Sequence, residues 1–416
     1  MEPTRLAVRA GEAKARSYTL ILALITTTVC AFCWWYPGWM GLAGVGHGGV
    51  WFRDIQAVLA AIEAHRHGMD PYGVNAYNAQ HFYSHWWFWF EPTGWTRRDA
   101  AWLGLVLGGL TLLSTWLVTR PRRAAEVIWI LLIFCSAPVL LGLNRANVDL
   151  LLFALLSLCV PALLSHVRFW RIAGAPGLIA LATGLKYYPS VGALILLAIR
   201  PGRDRTPALI LSAGLFALTA WSIAPDLTHY VGVVDHEGFY VFGASASLRK
   251  IGITTPLAPA GACLFLLLTG GWIARRTSLQ SWSAPAGLRT EYLNFILAAT
   301  ILTGCFLATA NYAYRWIFAL WMIPFLCRAG GPPASALHRL RTLTRGLLVM
   351  QVWVESLVVV GLSLFPPSQT ALQRWETATT TGLSALTWAL FACLSGWLIH
   401  FVFTQYWIPP GAPARD

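Results

Sequence analysis

The chain has 416 residues, of which 57% are hydrophobic and only 11% charged, against roughly 25% charged residues in an ordinary soluble domain. With a mean hydropathy of +0.58, this excludes a conventional water-soluble domain and points to a polytopic membrane protein. The formal net charge of +13 does not indicate nucleic acid, because the basic residues are dispersed among short breaks between apolar runs, where they fit membrane topology.

Arg5, Arg9, Lys14 and Arg16 precede an apolar run from Tyr18 to about Pro37. That run is too long for the apolar core of a signal peptide and lacks a small-residue cleavage site, so it reads as a retained first span. Apolar runs then recur to the end of the chain. Only helices satisfy their own backbone in hydrocarbon at this density of apolar residues, so the expected fold is all-α, a transmembrane helical bundle. About twelve spans are expected, with cores near 18–38, 101–119, 126–143, 149–164, 174–185, 187–199, 206–224, 255–274, 291–309, 312–327, 346–365 and 381–403. The fifth and sixth are short, and one of them could be re-entrant. The implied organisation is a cytoplasmic tail (1–17), a membrane domain (18–403) with outer loops at 39–100 and 225–253, and a C-terminal tail (404–416).

With the N-terminus in the cytoplasm, 20 of the 30 Lys and Arg residues fall on the inner side, as positive-inside topology requires. The ten exceptions are Arg53, Arg66, Arg97, Arg98, Arg145, Lys186, Arg249, Lys250, Arg315 and Arg374. Six of these (Arg53, Arg145, Lys186, Arg249, Lys250 and Arg315) sit at outer ends of spans beside polar or aromatic residues. Such cations either bind a phosphate or snorkel to outer headgroups. The inner loops carry no Gly-x-x-x-x-Gly-Lys-Ser/Thr motif and no strand to hold one, which argues against a nucleotide-driven cytosolic reaction. Cys30-x-x-Cys33 has redox spacing but lies in a membrane run, where packing is the simpler reading.

The longest polar stretch before residue 225 is Val50–Trp95, which follows the first span and holds His65, His67, His81 and His85. Ile55, Val58, Leu59 and Ile62 share one face of a short helix that Gly68 should end, so an amphipathic helix on the outer surface is expected. Asp54 stands where an N-cap would stand. The same carboxylate is well placed to take a proton from a hydroxyl. Asp70-Pro71-Tyr72 reads as a turn. The run Trp86–Phe90 reads as an interfacial belt or as the wall of a path for a polyprenyl chain. His65-x-His67 and His81-x-x-x-His85 lack tight metal spacing, and His236-Glu237 in the second large loop is a candidate acid pair.

Phe52-Arg53-Asp54-Ile55, the helix behind it and Asp70-Pro71-Tyr72 resemble the first outer loop of glycosyltransferase family 87, membrane mannosyltransferases of GT-C type that use polyprenyl-phosphate sugars. Asn144-Arg145-Ala146-Asn147-Val148-Asp149, Gly184-Leu185-Lys186-Tyr187-Tyr188-Pro189 and Asn311-Tyr312-Ala313-Tyr314-Arg315 are similar to outer-end motifs of that family. The resemblance implies Asp54 as the catalytic base. It implies Lys186 and Arg315, then Arg145, Arg249 and Lys250, as the donor-phosphate site, and Arg53, Tyr72, His85, His236, Asp149 and Tyr314 as substrate-binding residues. It implies no metal and no cofactor, a polyprenyl-phosphate sugar donor and a lipid or glycan acceptor. It places the protein in the cell (inner) membrane, surrounded by membrane lipids, with the site facing the periplasm or exterior. The alternatives are a transporter or flippase, or a ligase, for lipid-linked saccharides. A transporter would carry more charge within its spans and internal repeats.

Overall fold

The computed structural model describes residues 2–36, 38, 40, 45, 51–73, 81–199, 204–229, 241–250, 252–255, 257–277, 279, 282, 285–308, 311–328, 335–364 and 369–406. The described chain is almost wholly helical. A two-residue antiparallel pair, Val241–Phe242 with Asn311–Tyr312, is the one sheet among those residues.

Among the described residues, six helices are long and apolar enough to cross a membrane: Glu12–Trp35, Arg97–Thr119, Arg205–Leu227, Ala258–Arg276, Arg289–Ala308 and Thr381–Gln405. A seventh span is formed if Ala124–Phe134 and Ala137–Arg145, bent by 60°, count as one. The bend falls at Cys135-Ser136, just ahead of Pro138, whose missing N–H interrupts the hydrogen-bond ladder. The all-α polytopic architecture is thus the expected one, and the difference from about twelve spans has a physical source. Ala175–Leu185 has 11 residues, roughly 16 Å of α-helix, which is about half the hydrocarbon thickness. Val148–Leu163 and the 3-10 segments Tyr188–Ala198 and Ala313–Trp321 are likewise short. The expected span at 346–365 falls largely within the helix Ala336–Leu364.

The centre of the bundle is Arg289–Ala308, buried nearly throughout, with Ala313–Trp321 packed beside it. Phe306 stacks on Phe391 at 4.1 Å, and Trp316, Trp321 and Trp397 are fully enclosed. Gly270 lets Ala258–Arg276 lie directly against Ser395 and Gly396 of the last helix, the close backbone approach that small residues permit between membrane helices.

One end of this core is tied by ions. The buried Arg328 pairs with Glu126 at 2.9 Å and with Glu291 at 2.7 Å, and donates to the carbonyls of Thr119 and Arg120. Arg122 adds a second pair to Glu291 at 3.0 Å. Glu291 lies in the first turn of Arg289–Ala308. The other end of that helix leads to Asn311 and Arg315, and there the polar outer-end motifs converge.

The expected amphipathic helix is Arg53–Arg66. Ile55, Val58, Leu59 and Ile62 are buried, but against the protein: the helix packs on His85–Thr93, Ala100–Thr119 and Ala137–Arg145. Gly104 leaves room for the Phe52 ring at its start. The helix ends where expected, with Gly68 at φ 69°, the left-handed conformation that favours glycine.

Candidate active site

Asp54 is not the cap of its helix. The N-cap is Phe52, at φ 63°, and no side chain caps the first turn. The Phe52 N–H instead donates to Asn144 O at 2.7 Å, which joins the first loop to the turn after Ala137–Arg145. The Asp54 carboxylate points into that turn. Arg145 Nε meets one oxygen at 2.9 Å, and Asn147 Nδ2 donates a short hydrogen bond to the other. Burial pushes the Asp54 carboxyl above its ordinary value of 3.8, against the pull of Arg145 and the Asn147 donor.

The turn itself is dictated locally. Arg145 ends one helix and Ala146 takes a left-handed φ of 45°. Asn147 then caps Val148–Leu156 by accepting the Asp149 N–H at 2.9 Å, a role its short amide suits. Asp149 follows inside the first turn, 1% exposed, with its carboxylate facing two cations. Lys186 Nζ lies 2.5 Å from Oδ1, and Arg315 Nε lies 3.8 Å from Oδ2. Tyr188 also donates to Oδ1 at 2.9 Å.

Lys186 reaches this position because Ala175–Leu185 ends at it in an extended conformation before Pro189 opens the next turn. Three tyrosines surround its ammonium: Tyr83 at 5.3 Å, Tyr314 at 5.5 Å and Tyr188 at 5.7 Å to the ring centres. The Arg315 guanidinium lies 4.5 Å over Tyr188. Aromatic faces hold cations away from water at modest cost. The site therefore holds three cations, Arg145, Lys186 and Arg315, against two carboxylates, Asp54 and Asp149. Among the described residues, Arg315 Nε and Nη1 and Asp149 Oδ2 are buried without a hydrogen-bond partner. Of these, Arg315 Nε and Asp149 Oδ2 face each other as an ion pair at 3.8 Å, beyond hydrogen-bond distance.

A second polar cluster lies beside the first. Asp226, near the end of Arg205–Leu227, accepts from Tyr72 OH at 2.8 Å and from the His85 N–H at 3.0 Å, with His85 Nδ1 at 2.9 Å. His229 stacks on Tyr72 at 4.3 Å. His81 touches both Tyr72 and Tyr83, so aromatic contacts run from this cluster to the Lys186 cage.

Of the residues expected from sequence, Asp54, Arg145, Asp149, Lys186, Tyr314 and Arg315 come together. Arg145 is paired with Asp54. Tyr72 and His85 belong to the Asp226 cluster. Arg53 and Arg249 are exposed, and the Arg249 helix, Ala244–Lys250, follows the strand paired with Asn311–Tyr312. His236 and the Lys250 side chain lie outside the described residues. His65, weighed as a metal ligand, pairs with Glu91 at 2.7 Å. Sequence reasoning missed Asn147, Tyr83, Tyr188 and Asp226. Asn147 and Tyr188 stand inside the motifs at 144–149 and 184–189, so spacing marked the neighbourhood but not the role.

A many-spanning helical bundle with a buried, cation-rich site at one end belongs to the class of polytopic membrane proteins. The family model of glycosyltransferase family 87 matches residues 85–304, more than half of the chain. The chain belongs to that family and is a membrane glycosyltransferase. No curated protein and no solved structure matches it. Arg145, Asn147, Asp149, Lys186 and Tyr188 lie within the matched stretch, and Asp54 and Arg315 lie outside it.

Proposed function

We propose that this protein moves a hexose, such as mannose, from a polyprenyl-phosphate donor to a hydroxyl of a lipid or glycan acceptor at the outer face of the membrane. Asp54 is the general base and the reaction inverts the anomeric centre. The observation that carries this reading is the charge of the site: three cations and two carboxylates, with buried Arg315 N–H groups that make no hydrogen bond among the described residues.

A polyprenyl-phosphate sugar is a phosphodiester with one negative charge, which brings the cluster to neutrality. The acceptor oxygen then attacks C1, the C1–O bond to phosphate breaks with its electron pair, and the hydroxyl proton passes to Asp54. The leaving polyprenyl phosphate now carries two negative charges, and protonating Asp54 raises the cluster to a matching two positive charges. The site balances charge both before and after transfer, which is the electrostatic preorganisation that lowers such barriers. Lys186 and Arg315 hold the leaving phosphate, Arg145 bridges toward the base, and Asp149 keeps the two buried cations in place. Arg suits the planar, multidentate contact with phosphate oxygens. Tyr314 and Tyr83, whose rings close the Lys186 cage, flank the sugar. No separate energy source is required, since the glycosyl-phosphate bond is already activated.

The test is transfer of radiolabelled mannose from polyprenyl phosphate to a crude lipid acceptor by purified protein in lipid, wild type against Asp54→Asn. Wild-type transfer with a folded Asp54→Asn protein reduced by about 10²–10⁴-fold is the expected result. Equal transfer by both removes Asp54 as the base. Failure of wild type with every polyprenyl-linked hexose rejects the reading.

A further inference from the structure

We propose that Asn147 is a positioning residue for Asp54: its carboxamide ties the Asp54 carboxylate to the backbone of the Asp149 turn and holds Asp54 by a neutral donor that no acid or hydroxyl at this position replaces. The inference deepens the reading of Asp54 as base and rests on it only for its kinetic consequence.

The amide orientation is fixed by its neighbours. Asn147 is fully buried. Its Oδ1 faces the Asp149 N–H at 2.9 Å and the Lys186 ammonium at 3.4 Å. Both are donors only, so Oδ1 must be the acceptor and Nδ2 must face Asp54. That N–H is donated to Asp54 Oδ2, while Arg145 holds Oδ1. Both oxygens of the base are thereby held from one turn, and that turn is itself fixed to the Asp54 segment by the Phe52–Asn144 backbone bond. Phe52 and Ala146, which flank the two residues, are two of three non-glycine residues with positive φ among those described. Backbone strain of that kind concentrates where a site must be held in one geometry.

Asn147 therefore has two separable duties. It caps Val148–Leu156 through Oδ1, and it orients Asp54 through Nδ2. Asp at position 147 keeps the cap, since Asn, Asp and Ser serve nearly equally well there, but presents an oxygen to Asp54. Ser keeps the cap and lacks the reach. The groups that face Asp54 are Arg145, Asn147, Lys186 and Asp149, with Tyr83 and Tyr314 beside it. In the Ser variant Asp54 loses its Asn147 donor, and the long 3.4 Å contact of Lys186 with Asn147 Oδ1 is lost with it.

The experiment measures Asp54 directly. Infrared difference spectra of wild type against Asp54→Asn isolate the Asp54 carboxyl band in the purified full-length protein, and its intensity is followed against pH. The same pair of spectra is recorded in the Asn147→Ser and Asn147→Asp backgrounds, with thermal unfolding as the check on folding. The Asp54 midpoint is expected to rise by ~1 pH unit in Asn147→Ser and by more in Asn147→Asp, where two acids share the site. In the transfer assay the acid limb of kcat/KM moves by the same amount, and kcat falls about 10–100-fold with the donor KM within about twofold. An unmoved Asp54 midpoint in both variants makes Asn147 a helix cap only and overturns the proposal. A shifted midpoint in the two variants, with wild type that transfers no sugar, keeps the positioning role and rejects the activity instead.

Discussion

At the scale of single residues, the chemistry depends on how two buried carboxylates are treated differently. Asp54 is held by a guanidinium and a neutral amide, whereas Asp149 is held by an ammonium, a phenol and a more distant guanidinium. Burial raises the Asp54 carboxyl above 3.8. As the proposed base, Asp54 must be deprotonated to work, so transfer is expected to be lost as pH falls through the Asp54 value. The acid limb of kcat/KM is expected above the range of an ordinary carboxylate, read from a pH–rate profile. Asp149 gives a different expectation. Lys186→Met strands a carboxylate that is 1% exposed, and removing one partner of a buried pair costs about 3–5 kcal/mol. Adding Asp149→Asn to that variant should recover most of the thermal stability in detergent and none of the transfer. Stability that stays low in the double variant would mean that Lys186 holds the fold by other contacts.

At the scale of elements, the site is built from interruptions. The candidate side chains sit at or next to helix ends: Arg145 at a C-terminal end, Asn147 at an N-cap, Asp54 and Asp149 in first turns, Lys186 at an extended break, Arg315 near the start of a 3-10 segment. Helix ends leave backbone groups unpaired, and polar side chains gather there to satisfy them, which makes these ends the place where cations and carboxylates can be concentrated within an apolar bundle. The opposite end of Arg289–Ala308 shows the same device used for stability. Arg328 serves Glu126 and Glu291 together, so Arg328→Met leaves two carboxylates short of a partner. A loss of about 3–5 kcal/mol is expected, seen as a lower unfolding temperature. Because that network lies at the opposite end of Arg289–Ala308 from Asn311 and Arg315, kcat per folded molecule should stay near wild type, and a large fall in it would show that the two ends are coupled.

At the scale of the whole molecule, the proposed reaction needs the site end of the bundle on the outer face of the membrane. His67 lies just past the helix Arg53–Arg66 at the site end, and Arg123 lies beside the Arg328 network; both are exposed. In a Cys263→Ser background, His67→Cys should react with a membrane-impermeant maleimide in intact cells, and Arg123→Cys should react only after permeabilisation. The reverse pattern would put the site in the cytoplasm and remove the argument for a polyprenyl-phosphate donor.

The sequence by itself determined the class. Apolar runs too dense for a soluble domain require self-satisfied helices, and the outer-end motifs carried the family resemblance that the match over residues 85–304 established. It also marked the helix after Asp54, its apolar face and its glycine stop, because those follow from periodicity and backbone conformation. Tertiary structure decided the rest. Composition could not distinguish a full span from an 11-residue half-helix followed by a 3-10 segment, since both are apolar and only packing fixes their geometry. Position alone favoured Asp54 as a cap, yet its carboxylate is drawn to Arg145 and Asn147, more than ninety residues away in the chain. Asp226 gathering Tyr72 and His85 is equally invisible in a linear reading. Charge pairing acts through space over a few ångströms, and only the folded bundle sets which charges come that close.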